Sequence, residues 1–309
     1  MFQTTWAGDC SAWECDELGH LNMSYYLDKF EQARMGLFIR LGLVEAFRPE
    51  AYSTVRSRDI HIKYLAESRP GNPLRIESAI IALHETTAEV GHVMYHIDGR
   101  MAATLREVVE HVYLPEDKIF AWPTRLKNKA AAHTDQLPTP ARPRNLSLDW
   151  DLLRPNAAEL ETLGAGDIGG GVFLPADAMP GGHVPFSKIF RRITTTLGWF
   201  SGGWPEFADA DYIAAGGSAV VLEIRVHMPT LLRAGDAYHM RPAVVDADAY
   251  TRLIMHNILN SVTGDCVVAG YAAAGLFNLN TRKLVKASDA QIGTIMQAAI
   301  PSLAPPAVR

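Results

Sequence analysis

Cysteine is scarce: Cys10, Cys15 and Cys266 are the only three in 309 residues. That is too few for a disulfide framework in a chain of this length. It also leaves a thiolate metal site half built, because Cys10 and Cys15 would have only Cys266 to complete them. They read as ordinary thiols near the start of the chain. The eleven histidines contain no H-E-x-x-H. His92 and His96 stand at helical spacing but lack a nearby acidic third ligand, and residues 90–97 read equally well as a strand. No metal is expected. Long apolar runs are missing too: the longest nearly uncharged one, residues 267–277, is about half the ~20 residues a membrane helix needs. The first twenty residues hold Asp9, Glu14, Asp16 and Glu17 and no apolar leader. A cytoplasmic location without a membrane partner is expected. There is no basic surplus: 29 Lys and Arg face 34 Asp and Glu, a net charge of −5, which argues against nucleic acid as a partner. What is present is ordinary for a folded protein, 48% hydrophobic and 20% charged residues, at a length of about two domains.

The chain repeats itself. Residues 16–30, DELGHLNMSYYLDKF, return in outline as MPGGHVPFSKIFRRI at 179–193, an offset of 163 that sets Gly19-His20 on Gly182-His183. Ile60, Ile62 and Tyr64 fall on Ile224, Val226 and Met228 at 164, as Gly71 does on Gly235. Val93, Ile97 and Gly99 fall on Ile258, Val262 and Gly264 at 165. A slowly creeping offset is what small loop insertions between two copies of one unit produce. Between the copies, residues 127–144 carry Ala130, Ala131, Ala132 and the prolines Pro138, Pro140 and Pro143, which read as an extended connector. The expected organisation is a first unit at 1–126, a linker at 127–146 and a second, degenerate unit at 147–309.

Each copy has the same order. After a Gly-His turn comes a helix, with Met23, Tyr26, Leu27, Phe30, Ala33, Leu37, Phe38 and Leu41 on one apolar face. Its counterpart carries Phe186, Ile189, Phe190, Ile193, Leu197 and Phe200. Strands follow, as in the alternation of Val220, Leu222, Ile224, Val226 and Met228 against Glu223, Arg225 and His227. Turns break them at Pro70-Gly71, Asp98-Gly99, Gly235-Asp236 and Gly264-Asp265. This describes α+β architecture, an antiparallel sheet curled around a helix, twice. Joining the two sheets edge to edge would protect their open edges.

In this order, Asp16-Glu17-Leu18-Gly19-His20-Leu21-Asn22, followed by Tyr26 and by Phe30-Glu31-Gln32-Ala33-Arg34, resembles a hotdog-fold thioesterase of the 4-hydroxybenzoyl-CoA and acyl-ACP thioesterase group. The likeness covers most of residues 1–115 and, more loosely, 165–290, which implies a double hotdog. It implies a thioester hydrolase without a cofactor, acting on acyl-CoA or acyl carrier protein and assembling as a homo-oligomer. It also implies that Asp16 is the catalytic carboxylate, with Gly19, His20 and Asn22 beside it. The second copy has Met179 and Pro185 where Asp16 and Asn22 stand, and Asp177 comes two residues early. One working site per chain is expected, with the second copy as its opposite wall.

Thioester hydrolysis needs a carboxylate that attacks the carbonyl or deprotonates water, and fixed donors where the oxyanion develops. Asp16 before the helix supplies the first. Backbone N–H groups from Gly19 into the first turn supply the second. Plainer roles stand beside these: Asp16 or Asn22 as a cap, and His20 as a turn residue, since His183 survives where the acid does not. Glu31 is an alternative acid, although Arg34 three residues on suggests a surface ion pair. Tyr26, Trp199 and Trp204 are candidate pocket residues. The G-x-G-x-x-G from Gly164 to Gly169 follows a helical stretch, not a buried strand, so no dinucleotide is expected. A hotdog hydratase or dehydratase and a non-catalytic acyl-CoA binding module remain alternatives. The acyl group stays open, as does the choice of carrier: net charge favours CoA, and Arg191-Arg192 could dock an acidic carrier protein.

Overall fold

The computed structural model describes residues 1–179 and 181–305, without the side chain of Leu197. Pro180 in the second turn and Leu197 on the second helix's apolar face thus lie outside the described set. The chain forms two compact units. The first is Met1–Arg142 together with Leu174–Thr194, and the second is Pro143–Phe173 with Thr195–Arg309. The expected boundaries, 1–126, 127–146 and 147–309, differ from this division in two respects. The stretch read as an extended connector begins inside a helix, α2 in the list below, whose Leu126 and Ala130 are buried in the first unit's core. The second copy's helix, moreover, belongs to the first unit.

The helices and strands are β1 (Gln3–Asp9), α1 (Met23–Arg40), β2 (Ser53–Tyr64), β3 (Pro73–Leu83), β4 (Thr87–His96), β5 (Met101–Tyr113), β6 (Lys118–Ile119), α2 (Thr124–Ala130), α3 (Ala157–Thr162), β7 (Gly169–Val172), α4 (Phe186–Thr196), α5 (Ala210–Ala214), β8 (Gly217–His227), β9 (Ala237–Met240), β10 (Ala243–Ala247), β11 (Arg252–Asn260), β12 (Cys266–Asn278), β13 (Lys283–Leu284) and α6 (Asp289–Ala298). In the first unit the antiparallel order is β1-β3-β4-β5-β2, with β6 on β5. In the second it is β8-β12-β11-β9-β7, with β10 on β11 and β13 on β12.

The duplication extends to fine geometry. β5 and β12 are both 13 residues long and begin 165 apart. The bulge between Ile80 and Ala82 recurs between Val244 and Asp246. Among the described residues, the two non-glycines with positive φ are Asp117 and Arg282, again 165 apart, each just ahead of a two-residue strand, β6 and β13. The copies diverge where residue chemistry forces it. β3 has a broken counterpart, β9 and β10, because Pro242 between them has no N–H to give the ladder. α4 stops at Thr196 where α1 continues, and Gly198, Gly202, Gly203 and Pro205 follow it.

In the first unit, Leu37 and Phe38 of α1 and Leu41 just after it pack with Val55, Ile80 and Val90 of the sheet. Each such fully buried side chain contributes roughly 1.5–3 kcal/mol. The polar side of β8 does not face water. Fully buried Glu223 accepts from the Arg144 and Asn145 backbone N–H groups, and Arg225 donates to the carbonyls of Ser147 and Trp150. Residues 143–150 are therefore stitched to the second unit's sheet.

Candidate active site

Residues 14–22 fold back on themselves ahead of α1. Asn22 N–H donates to Glu14 O, Cys15 bridges Leu21, and Asp16 N–H donates to His20 O at 2.9 Å. Gly19 closes the tip at φ +76, a conformation that favours glycine. Its N–H is spent on Asp16 O at 3.0 Å, which removes Gly19 itself as an oxyanion donor. Asp16 and His20 come together: Oδ2 lies 3.2 Å from His20 Nδ1, Oδ1 accepts from Leu18 N–H, and both side chains are about four-fifths buried. His20 Nε2 also lies 3.9 Å from Glu67, a neighbour that sequence spacing did not suggest.

Asn22 takes the plainer of its two roles. It is the N-cap of α1, and its Oδ1 accepts from Ser24 N–H and Ser24 Oγ. Leu18, Gly19, His20, Leu21, Asn22, Ser24 and Tyr25 all have hydrogen-bond partners for their N–H groups. Met23 N–H, at the first helical position, is left without one among the described residues. It is a free donor at the positive end of an 18-residue helix. The sequence signal for it was the cap itself, one residue earlier.

Tyr26 is buried, with its hydroxyl 3.3 Å from Ser68 Oγ and 3.4 Å from Ala66 O, and its ring edge-on to Tyr64. Burial pushes its phenol up to about 12. Ser68 O in turn receives Leu21 N–H, so one residue anchors both the turn and the tyrosine.

Glu31 departs from expectation. It is 7% exposed, and it makes no surface pair with Arg34. Arg34 instead turns to Glu107 at 2.7 Å, where His92 Nε2 approaches at 3.0 Å and His92 Nδ1 meets Ser78 Oγ. Burial alone would raise the Glu107 carboxyl, but Arg34 and His92 outweigh it and hold it down at about 2. Glu31 has a different task. Its two oxygens accept from Ser187 N–H at 3.1 Å and Ser187 Oγ at 2.8 Å, at the start of α4. Ser187 is the repeat counterpart of Ser24, and Pro185, in the place of Asn22, has no side-chain acceptor. Glu31 thus caps from α1 the helix that cannot cap itself. Burial raises its carboxyl to about 7, against the opposing pull of Arg34 and the two serine bonds.

The second Gly-His turn keeps the backbone of the first. Met179 N–H donates to His183 O at 2.8 Å and Gly182 N–H to Met179 O at 2.9 Å, with Gly182 at φ +79. Asp177 is not a displaced catalytic acid. It occupies the position of Glu14, and its 2.7 Å bond to Arg192 repeats that of Glu14 to Lys29.

Comparisons with known proteins bear on the fold. Residues 10–130 match the family described as the thioesterase-like superfamily. Over nearly the whole chain the fold is similar to a Lactobacillus plantarum protein assigned as an oleoyl thioesterase, at TM-score 0.65 and 13% identity, covering 89% of this chain and 96% of that one. An acyl-ACP thioesterase of Bacteroides thetaiotaomicron gives 0.61 at 9% identity, covering 88% and 97%. The 12:0-ACP thioesterase of Umbellularia californica gives 0.59 at 10%, covering 87% and 92%. The fold is a double hotdog.

In sequence, 111 residues are 27% identical to the L-carnitine dehydrogenase/betainyl-CoA thioesterase of Agrobacterium fabrum; the match takes in 36% of the double-hotdog chain and only 23% of that relative. Trp199 and Trp204 belong to the double hotdog's second unit and differ sharply. Trp199 is 78% exposed, whereas Trp204 is 7% exposed, stacked on Phe207 and under the Arg252 guanidinium. No group of three or more potential metal ligands exists among the described residues, and no helix among them is long and apolar enough to cross a membrane.

Proposed function

We propose that the chain hydrolyses acyl-CoA thioesters at the first Gly-His turn, with Asp16 as the reacting carboxylate. The observation that carries this is the contrast between the two turns. Their backbones hydrogen-bond alike, but the first has Asp16 3.2 Å from His20, at the position where the second has Met179, which bears no carboxylate. A fold needing only a turn would not need that acid. In this reading Asp16 takes a proton from water or attacks the thioester carbonyl directly, and His20 orients it. Met23 N–H stabilises the oxyanion, aided by the α1 dipole. Glu31 is set aside as the acid because both its oxygens are engaged by Ser187. Of the two carriers, CoA is favoured by the net charge of −5 and by the named activity of the Agrobacterium relative.

Thiol release from short, long, aromatic and betainyl acyl-CoAs tests the reading. Asp16→Asn keeps the acceptor that Leu18 N–H needs but removes the charge. We expect a loss of about 10²–10⁴-fold in kcat with an unchanged melting temperature. Full activity in that variant would move the chemistry to another group.

A further inference from the structure

Cys10 and Cys15 are not the unrelated thiols that their scarcity suggested. Their Sγ atoms stand 3.6 Å apart in the first unit, and we propose that they form a reversible disulfide that reports oxidation to the adjacent Asp16 turn. Three observations meet here. Cys10 is fully buried and its backbone is fixed, N–H to Asn72 O at 3.0 Å and O from Gly71 N–H at 2.7 Å, at the end of β1. Cys15 is partly exposed, and among the described residues its thiol bonds to Ser11 O at 3.6 Å and to Cys10. The third is local to the working copy: the repeat counterparts, Phe173 and Ala178, carry no sulfur. The pair thus accompanies only the turn that holds the acid. The proposal rests on the functional reading of Asp16 for its effect on activity, but not for the bond itself.

The chemistry needs a two-electron oxidant, here a peroxide. Cys15, the accessible sulfur, attacks the O–O bond as thiolate; one oxygen leaves as water and Cys15 becomes a sulfenic acid. The Cys10 sulfur then attacks Cys15 sulfur, the S–O bond breaks, and the hydroxyl departs as a second water with the Cys10 proton. Two thiols and one peroxide give one disulfide and two waters, and a dithiol reductant reverses the change. Burial and the Cys15 contact push the Cys10 thiol up to about 12, which leaves the first attack on peroxide to Cys15. Closing 3.6 Å to the roughly 2.05 Å of an S–S bond must draw Cys15 toward the anchored Cys10. Asp16 is covalently next in line, and displacements on the order of 1 Å at a reacting group can cost about 10² in rate.

The test is peroxide treatment of the full chain, followed by thiol counting under denaturing conditions and peptide mass mapping. Wild type should fall from three titratable thiols to one, with a Cys10–Cys15 cross-linked peptide 2 Da lighter. Cys10→Ser and Cys15→Ser should form no intramolecular cross-link. Acyl-CoA consumption, followed by chromatography so that free thiols do not interfere, should drop at least tenfold in oxidised wild type and return with dithiothreitol. Oxidation of Cys15 to sulfinic acid without a cross-link would overturn the proposal, as would three thiols surviving peroxide. A cross-link that forms without changing turnover would overturn its regulatory half. Absence of any thioesterase activity with the cross-link intact would instead count against the role of Asp16.

Discussion

Glu31 is buried, raised to about 7 and hydrogen-bonded at both oxygens, and this makes its protonation part of the stability of the fold. Its ordinary value is 4.5, so the folded form holds its proton more tightly than the unfolded one. The contribution is complete below about 4.5 and is lost as pH rises through about 7. Glu31→Gln can still accept from Ser187 N–H and donate to Ser187 Oγ without ever ionising. We expect the variant to match wild type near pH 5 and to exceed it in denaturant midpoint at pH 8. Equal midpoints at both values would mean that Glu31 is solvated in solution. Sequence spacing pointed to Arg34 because i,i+3 partners share a helix face. The real partner lies 156 residues away, and no local rule reaches that far. Asp16 and His20, four apart in one turn, were legible for the opposite reason.

The first turn of α1 offers a sharper test at the scale of the element. Proline at the first helical position removes only an N–H that the helix does not use, and Asn22, at ψ 144°, already has the extended conformation that a following proline requires. Met23→Pro should therefore leave thermal stability nearly unchanged while lowering kcat about 10²–10³-fold, the usual effect of deleting one oxyanion donor. Retained kcat would place the oxyanion elsewhere. Helices and strands were readable because their periodicities and turn glycines are local. The apolar face from Met23 to Leu41 predicted α1 within a residue, and the Gly99 and Gly264 turns fell between the expected strands. The connector at 127–144 was misread in part because proline and alanine speak to backbone preference alone. The burial of Leu126 and Ala130 comes from distant partners such as Phe38 and Val109.

For the whole molecule, the repeat told of two copies and suggested two self-contained units, yet the first compact unit borrows Leu174–Thr194 from the second copy. Met1–Arg142 expressed alone would leave Glu31 without Ser187, and Asp28 and Tyr25 without their partners Lys188 and Arg191. We expect this fragment to lose cooperative thermal unfolding. A sharp melt from Met1–Arg142 would show that α4 is dispensable to it. Borrowing of this kind is invisible to pattern reading, because the same apolar stripe on α4 would serve either unit equally well.

The cap that Glu31 lends to α4 also sets an order of events in time. Glu31 emerges from the ribosome 156 residues before Ser187, which at roughly 5–20 residues per second is a wait of about 8–30 s. Throughout that interval its carboxylate is exposed and ionised at neutral pH. Only when α4 arrives can it be withdrawn from water, and because burial raises its carboxyl to about 7, that docking favours the uptake of a proton. The nascent first unit thus carries an open, charged seat for a helix that has yet to be made.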